Sequence, residues 1–550
     1  MPGTGSERVS RASWITLAAM TLSSSMILVD QTAVPLATPH VIGDLGGNLA
    51  ESQWVLTANV LPLAAFMVLG GRLGDLLGLR RIFLLGLVIF GVSTALAGSA
   101  QDMAWMIAAR AAQGTGAAMM MPTAVAIVSA VFPRSRKGSA LGILAGASAF
   151  FAALGPVLGG LLTSIDWRLV FLINVPLAAT TVLLTLSATP RLDPDPDAER
   201  RIDYAGVITF AIGIGALVFG LSQGQADGWD TAGTLIPLVG GAIVLVVFAV
   251  IEFRVKAPLL RFKLFRHLNF LAANISQMLA GAIELGLGFL LPFYLLLVVG
   301  ISPEAAGIAL IPATIPIILA GPLAGRAFDR MGGRAPLVIG FLVLAASGAA
   351  LAIAVPERDV PALIPGLLLQ GIGLGIVLTV NDPTGLTAVP EKDQGEAAGM
   401  INTTEQLGGA LGIAALTAVE VGRARELTMQ KLADKGVEPT PDQVEKFKEF
   451  LLHAEQTGLR KAHESKLVQY SIDEAISAHV DSFQLMFSVS AGIALVGALA
   501  CLVLVRRGDR VAAGRIFARR SRWVYATTGH GPGITKRPLQ PGTGPSRTRP

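Results

Sequence analysis

Cysteine is almost absent from this chain, whose one example is Cys501. A single thiol excludes an internal disulfide framework and a metal site built on cysteines. The sequence also lacks the Gly-x-x-x-x-Gly-Lys-Ser/Thr phosphate loop, which disfavours an ATP-driven pump. Its six histidines lie mostly at loops and ends, without a nucleophile constellation or metal-ligand spacing. We therefore expect no enzyme site, no metal and no cofactor.

Charged residues are also scarce. Asp, Glu, Lys and Arg make up 15% of the 550 residues, whereas hydrophobic residues make up 52% and the mean hydropathy is +0.62. This composition predicts a chain that lies in a lipid bilayer. The net charge of +5 comes from bases in short loops and a tail, so no nucleic-acid partner is expected. No cleavable signal is evident before the first apolar run.

Long apolar stretches dominate what is present. A helix needs about 20 apolar residues to cross the hydrocarbon core of a membrane. Fourteen stretches come close to this length, at residues 13–36, 53–72, 82–100, 103–131, 138–163, 168–188, 204–222, 232–252, 269–299, 304–325, 335–355, 361–388, 396–420 and 481–505. The sequence therefore predicts an all-α integral membrane protein with fourteen transmembrane helices.

Basic residues predict the orientation of these helices. They fall in every second loop, as with Arg80 and Arg81, then Arg134, then Arg200, and the short alternate loops carry almost none. Loops rich in Lys and Arg stay on the cytoplasmic side, so both termini are predicted to be cytoplasmic. We expect a multi-pass protein of the cytoplasmic membrane.

Two polar segments lie outside this pattern of spans. Residues 421–479 form a long loop, expected on the outer side, with bases and acids in nearly equal number and short amphipathic helical patterns. Residues 506–550 are basic and rich in Gly and Pro, which predicts a disordered cytoplasmic tail attracted to anionic lipid. The sequence assigns no function to either segment.

Two short motifs occur twice. The loop after the second span, Gly71-Arg-Leu-Gly-Asp75-Leu-Leu-Gly78-Leu-Arg80-Arg81, is matched about 254 residues later by Gly325-Arg-Ala-Phe-Asp329-Arg-Met-Gly332-Gly-Arg334. At nearly the same offset, Gln113-Gly-Thr-Gly is matched by Gln370-Gly-Ile-Gly. This repetition indicates a duplicated unit. We predict a cytoplasmic N-terminus at 1–12, six-helix bundles at 13–189 and 267–505, and a two-helix insertion at 190–266.

These motifs resemble those of a known family. They are the Gly71 hinge, the run Arg110-Ala-Ala-Gln113-Gly-Thr-Gly, the run Gly155-Pro156-x-x-Gly159-Gly160, and Trp167-Arg-Leu-Val-Phe-Leu-Ile-Asn174-Val-Pro176. All are similar to signature motifs of the major facilitator superfamily, in particular its fourteen-helix drug:proton antiporters. The resemblance implies a six-plus-two-plus-six fold with substrate bound near the midplane between the halves. It also implies export of amphipathic or cationic compounds against inward proton flow.

Ionisable residues inside the membrane are candidates for function, because a charge buried in hydrocarbon costs at least about 2.5 kcal/mol. Asp30 in the first span and Arg110 in the fourth lie at similar predicted depth. An aspartate that faces an arginine can couple proton binding to conformation if the two separate. The resemblance links these motif positions to proton transfer, so we predict a proton-coupling pair. A static pair that only holds two helices together is the alternative.

Glu284 and Glu405 are the ionisable candidates in the second half. Related antiporters often have an arginine at the position of Glu405, which lies close to the predicted midplane. If both carboxylates face the cavity, a cationic amphiphile is the expected substrate. Gln113, Asn402 and Gln406 are the other predicted substrate contacts, and polar contact between helices is the alternative for this region.

The repeated hinge is interpreted as a cytoplasmic gate. A carboxylate between two helix ends can pair with a base in one conformation and release it in the other. Small residues and a proline in the fifth span allow a helix to approach closely and to bend, although ordinary tight packing explains them as well. The residues assigned to gating are Arg72, Asp75, Arg80, Arg81, Asp329, Gly155 and Pro156.

Other functions remain as alternatives. A dedicated exporter of one endogenous product, such as an antibiotic, lipid or siderophore, would carry the same motifs. A nutrient importer is less favoured, because the resemblance ties the Gly155-Pro156 motif to exporters, and an integral membrane enzyme is less favoured still. The expected partners are a small amphipathic substrate, protons and the lipid bilayer, and the protein is expected to be a monomer.

Overall fold

The computed structural model describes residues 9–46, 49–133, 136–192, 203–226, 228–255, 258, 260–390, 394–433 and 466–506. All regular secondary structure within these ranges is helical. Fourteen helical segments of this described part are long and apolar enough to cross a membrane. The all-α membrane fold with fourteen transmembrane helices is therefore confirmed.

The first half contains six spans. Its helices are α1 (Arg11–Leu45), α2 (Leu49–Leu77), α3 (Leu79–Gly98), α4 (Met103–Val131), α5 (Lys137–Ile165), α6 (Arg168–Leu172) and α7 (Asn174–Ala188), the last two of which form one span. Ser10 Oγ accepts a hydrogen bond from the Ser13 amide at 3.0 Å, and Asp102 Oδ1 accepts one from the Trp105 amide at 2.8 Å. These caps explain where α1 and α4 begin, since amides at a helix start lack partners within the helix.

The insertion and the second half follow. The insertion is a hairpin of α8 (Tyr204–Ala226) and α9 (Ala232–Arg254). The second half contains α10 (Leu268–Phe293), α11 (Pro303–Ala309), α12 (Ile311–Met331), α13 (Arg334–Ala354), α14 (Val360–Leu386), α15 (Gln394–Ala433) and α16 (Lys466–Leu504). A wider helical turn, Tyr294–Val299, extends α10, and α11 and α12 together form one span.

Glycines bring equivalent helices into contact in the two halves. Gly114 of α4 lies against the main chain of Asn59 in α2, and Gly371 of α14 lies against the main chain of Ala313 in α12. A Cβ atom at either glycine would overlap these backbone atoms, so only glycine permits so close an approach. The glutamine-glycine motif is repeated because each half uses the same close helix crossing.

The repeated hinge is mostly helical. Gly71 to Leu77 form the last turns of α2, and the chain turns at Gly78, whose φ is 101°. Gly332 has a φ of 74° and separates α12 from α13 in the same way. Positive φ favours glycine, which explains why both copies keep it. The loop predicted from Gly71 to Arg81 is therefore too long. Arg72 and Asp75 lie on the last turns of α2, and Arg80 and Arg81 lie on the first turn of α3.

The inserted hairpin packs against both halves. The Phe210 ring of α8 and the Phe248 ring of α9 have centroids 5.1 Å apart. Val207 and Phe210 of α8 belong to one apolar cluster with Val60 of α2 and Ala410 of α15. The insertion therefore covers one helix of each half.

Three helices extend furthest beyond one end of the apolar stretches predicted. α1 continues past residue 36 to Leu45, α15 continues past residue 420 to Ala433, and α16 begins at Lys466 rather than at 481. Lys431 Nζ donates to Ser477 Oγ at 2.7 Å and so connects the extensions of α15 and α16. Hydropathy locates only the apolar part of a helix, so these polar extensions gave no signal.

Both ends of the predicted 421–479 loop are therefore helical. The predicted amphipathic helices within 434–465 lie outside the described residues, as does the tail from residue 507.

Candidate functional site

Asp30 and Arg110 form an ion pair in the first half. Arg110 Nη1 lies 2.6 Å from Asp30 Oδ2, and both side chains are 1% exposed. Asp30 belongs to α1 and Arg110 to α4, so the pair connects two spans. The two ionisable residues that the sequence places at similar depth are direct partners in the structure.

Three further groups surround the arginine. Arg110 Nε donates to the Val55 carbonyl oxygen at 2.7 Å, and Arg110 Nη1 also donates to Gln113 Oε1 at 2.6 Å. Gln113 Nε2 donates to Asp30 Oδ1 at 3.1 Å. The guanidinium carbon lies 5.7 Å from the centre of the Phe171 ring. Asp30, Arg110 and Gln113 form a triad in which each member bonds the other two.

A buried ion pair depends on the groups around it. In a medium of low dielectric constant, the attraction between the charges offsets their desolvation only while the geometry and hydrogen bonds are kept. Gln113 bonds both members of this pair, and the Val55 carbonyl oxygen accepts a further hydrogen bond from Arg110. The pair is therefore held by hydrogen bonds as well as by its charges.

A cavity of about 260 Å³ lies between the two halves. The first half contributes six lining residues from α1 and α5, which are Leu28, Gln31, Thr32, Ala152, Ala153 and Pro156. The second half contributes residues of α10, α12, α14 and α15, most of them aliphatic. An apolar space with a few polar groups, placed between two bundles, is typical of a small-molecule site.

Glu284 of α10 and Glu405 of α15 both line this cavity. Their helices are tightly packed, since Gly281 lies against the main chain of Glu405. Gln277 Nε2 donates to Glu405 Oε2 at 2.5 Å. No Lys, Arg or His is among the described residues of the cavity wall. Two acids with no base beside them favour a ligand that carries positive charge.

A hydrogen-bonded network supports Glu405 from behind. Gln277 Oε1 accepts from Asn381 Nδ2, and Asn381 Oδ1 accepts from the Ser276 hydroxyl. Asn381 Nδ2 also donates to the Ala273 carbonyl oxygen at 2.8 Å. These contacts join α10 to α14, and through Gln277 they reach α15. The position of the Glu405 carboxylate therefore depends on three helices of the second half.

The other predicted substrate contacts lie away from the cavity wall in this conformation. Gln406 Oε1 accepts from Gln31 Nε2 at 3.0 Å, which joins α15 to α1 across the boundary between the halves. Gln113 belongs to the triad. Asn402 Nδ2 donates to the Ala398 carbonyl oxygen of its own helix at 3.0 Å. The carboxylates, rather than these three amides, face the space available to a ligand.

The halves meet closely at one end of the cavity. Gly160 of α5 lies against the main chain of Pro303, and Gly307 of α11 lies against the main chain of Pro156. These reciprocal contacts, the Gly160–Gly307 seal, close the end at which α5 stops and α11 begins. Gly155 packs against α1 one turn away. Of the residues assigned to gating, Gly155 and Pro156 therefore lie at or beside this seal.

The remaining residues assigned to gating lie at the opposite end of the helices. Arg80 Nη2 donates to the Leu186 carbonyl oxygen at 2.9 Å and so joins α3 to α7. Arg72 and Asp75 also have polar or electrostatic partners. Asp75, Arg81 and Asp329 are exposed. Their position at helix ends is compatible with a gate, and the gating role itself stays a prediction.

Some polar residues were not singled out from the sequence. Gln31 and Gln370 line the cavity. The match of Gln370 to Gln113 was a signal, but a motif position does not reveal which way a side chain faces. Farther along α15, the buried Glu420 contacts the partly buried His479 of α16, with 2.7 Å between Glu420 Oε1 and His479 Nδ1. This contact gave no signal because residues 421–479 were predicted to form a loop.

Metal ligands do not cluster in the described part of the chain. No group of three or more His, Cys, Asp or Glu side chains that could hold a metal ion occurs within it.

Known proteins with similar sequences are named for antibiotic resistance or export. A family model described as Major Facilitator Superfamily matches residues 16–413. The puromycin resistance protein of Streptomyces alboniger is 34% identical over 440 residues, which cover 78% of this chain and 84% of that protein. The tetracenomycin C resistance and export protein of Streptomyces glaucescens is 31% identical over 424 residues, which cover 76% of this chain and 78% of that protein.

A solved structure shares the fold. A bacterial homolog of the human lysosomal transporter Spinster, in an inward-facing and occupied conformation, matches with a TM-score of 0.63 at 15% identity. The match covers 90% of this chain and 98% of that one. The helical arrangement described above is therefore shared with that protein.

Proposed function

This chain belongs to the major facilitator superfamily and is a multi-pass membrane transporter, and we propose that it exports amphipathic cations across the cytoplasmic membrane in exchange for protons. The observation that carries this proposal is the apolar cavity whose charged wall residues are Glu284 and Glu405. Its aliphatic walls suit an apolar ligand body, and its carboxylates suit a positive charge. Relatives named for antibiotic resistance and export support outward transport.

The triad in the first half is the proposed proton-coupling element. Protonation of Asp30 weakens its hold on Arg110, and α1 is then released from α4. A proton shifts a conformational equilibrium only if it binds the two conformations with different affinity. In the proposed cycle the triad meets this condition, because Asp30 would leave its arginine partner in the other conformation.

The conformation described here is assigned to the cytoplasm-facing part of the cycle. If both termini are cytoplasmic, as the basic loops predict, the Gly160–Gly307 seal lies at the outer end of the cavity. Release of substrate then requires this seal to part. The helix ends around Gly78 and Gly332, with the charged residues beside them, are the proposed inner gate that closes in exchange.

A dedicated exporter of one endogenous product is the second candidate function. A cavity of about 260 Å³ suits one compact ligand, and one relative is named for export of tetracenomycin C. The proposed coupling by the triad would be the same. Transport of several unrelated cations would favour multidrug efflux, whereas transport of a single compound would favour the dedicated exporter.

Proton coupling is tested in proteoliposomes with an imposed pH gradient. Asp30→Asn keeps the side-chain size but removes the titrating group, so it should reduce gradient-driven accumulation of an amphipathic cationic dye by at least about tenfold. Exchange of dye without a gradient should persist. The matched control is Asp102→Asn, because asparagine is an equally good helix cap. Wild-type transport that ignores a collapsed gradient would contradict the antiport mechanism.

The charge of the substrate is tested with the double variant Glu284→Gln and Glu405→Gln. The amides keep the shape of the cavity and remove both charges. Because a hydrogen bond to a charged group contributes about 1.5–3 kcal/mol, the affinity for the cationic dye should fall by about tenfold to several hundredfold. Glu304→Gln, at the exposed start of α11, is the control. If the double variant exports the dye at the rate of the wild type, the proposal of a cationic substrate is wrong.

A further inference from the structure

Two buried oxygen atoms in the cavity wall have no hydrogen-bond partner among the described residues. They are Glu284 Oε2 and Gln370 Oε1, and Gln370 is only 5% exposed. A buried acceptor without a donor costs free energy, so such atoms in a binding cavity indicate where a ligand supplies the donor. The neighbouring polar groups are already used, since Gln31 Nε2 donates to Gln406 and the Thr314 hydroxyl donates within its own helix.

The first half shows which chemical group satisfies such an oxygen. Gln113, which the repeat matches to Gln370, has its Oε1 bound by Arg110 Nη1 at 2.6 Å. The residue that corresponds to Arg110 in the second half is Leu367, which is fully buried in the apolar core. The second half therefore keeps the glutamine oxygen and lacks the arginine. The missing partner is a positively charged group with N–H donors.

The cavity wall also disfavours one class of cation. Quaternary ammonium groups have no N–H and are recognised chiefly by aromatic rings around the charge. None of the described residues that line the cavity is Phe, Tyr or Trp. The charge of a ligand is instead met by carboxylate and amide oxygens, which are hydrogen-bond acceptors.

We infer that this cavity selects cations that donate hydrogen bonds, namely protonated primary or secondary amines, amidinium or guanidinium groups, over quaternary ammonium groups. The charged nitrogen binds Glu284 and Gln370, with Glu405 as the second carboxylate of the wall. The apolar part of the ligand packs against aliphatic residues such as Leu374 and Leu378. This inference rests on the proposed export of cations and names their chemistry.

The first test compares two ligands of equal charge. The probes are 4-(1-naphthyl)butylammonium and its N,N,N-trimethyl counterpart, with binding to the purified full-length protein measured by titration calorimetry. The primary ammonium should bind at least about tenfold more tightly, since it makes charged hydrogen bonds that the trimethyl form cannot. In Gln370→Leu this preference should shrink to about threefold or less.

The outcomes of this test separate the inference from the function it rests on. Equal affinity of the wild type for the two probes, with both transported, would overturn the inference and leave cation export standing. If neither probe, nor the cationic dye, is bound or transported, the proposed function itself fails.

A second test supplies the missing group from within the protein. Leu367→Arg places a guanidinium three residues before Gln370, which is the spacing at which Arg110 reaches Gln113. The internal arginine should compete with the ligand and lower the affinity for the primary ammonium probe by at least about tenfold. Leu367→Met, which keeps the size without the charge, should bind the probe as the wild type does.

Circular dichroism and thermal unfolding identify a Leu367→Arg variant that does not fold. If it does not fold, Gln370→Leu and Glu284→Gln, each measured with both probes, test the location of the ligand nitrogen instead. A folded Leu367→Arg variant with wild-type affinity for the primary ammonium would contradict this location of the ligand nitrogen.

Discussion

In the first half, Arg110 is bound by Asp30 and Gln113. In the second half the equivalent position is Leu367, and the acceptors Glu284 and Gln370 face a cavity instead. At the repeated glutamine, the first copy satisfies the side-chain oxygen with its own arginine, and the second copy leaves it open to the cavity. The proposed division of labour, with the proton bound in one half and the substrate mainly in the other, follows from this contrast.

The contrast also shows what a duplicated membrane bundle preserves. The helix crossings at Gly114 and Gly371 are the same, because a Cβ at either position would overlap the backbone of the neighbouring helix. The side chain three residues before the glutamine does not lie at this backbone contact, so its size and charge are free to differ between the halves. Arginine and leucine occupy one position of the repeat without changing the crossing that carries them, so the chemistry diverges while the packing stays.

The largest expected effect comes from giving the first half the residue of the second. Arg110→Leu leaves Asp30 as an uncompensated buried charge, so it should destabilise the protein by about 3–5 kcal/mol and abolish gradient-driven transport. Thermal unfolding in detergent and the pH-gradient assay measure the two losses. Leu367→Met, the control at the equivalent position, should lose neither. An Arg110→Leu variant with the stability and the transport rate of the wild type would contradict the proposed difference between the halves.

A smaller effect is expected where the halves touch. A Cβ at Gly160 would overlap the main chain of Pro303, so Gly160→Ala should disfavour this conformation by about 1–3 kcal/mol and populate the outward-open one. The readout is the reaction of an Ala153→Cys variant with an impermeant thiol reagent added outside, in a Cys501→Ser background.

The matched control for this measurement is Gly146→Ala. Gly146 lies in the same helix, and a Cβ there meets nothing within 4 Å. The control should label as the parent does, whereas Gly160→Ala should label faster. Equal labelling of the two variants would contradict the assignment of this contact as the outer seal.

The smallest expected effect distinguishes the two hinge glycines. Gly78→Ala and Gly332→Ala each force an alanine into positive φ, at a cost of about 1–3 kcal/mol. A Cβ at Gly78 also lies 3.0 Å from the Leu192 carbonyl oxygen, whereas one at Gly332 meets nothing within 4 Å. Gly78→Ala should therefore be the less stable by about 1 kcal/mol or less, as measured by thermal unfolding. A lower stability of Gly332→Ala than of Gly78→Ala would contradict this explanation of the difference between the hinges.

Much of the candidate site was visible in the sequence because charge is costly in a membrane. Asp30, Arg110, Glu284 and Glu405 stood out for this reason, and the structure pairs the first two and brings the last two to one cavity. The directions of uncharged polar side chains were not visible. α14 is apolar on nearly every face, so its sequence pattern does not reveal that Gln370 faces the cavity.

The sequence by itself determined the membrane location and the fourteen spans and predicted the duplication, because apolar length and repeated motifs are local properties of the chain. Only the tertiary structure decided that Gln370 Oε1 has no hydrogen-bond partner among the described residues where Gln113 Oε1 has one, and that Asn402 bonds to its own helix. It also decided that α15 and α16 extend beyond their apolar stretches. The physical reason is that a hydrogen bond depends on which faces of two distant helices meet, and packing rather than hydropathy sets that.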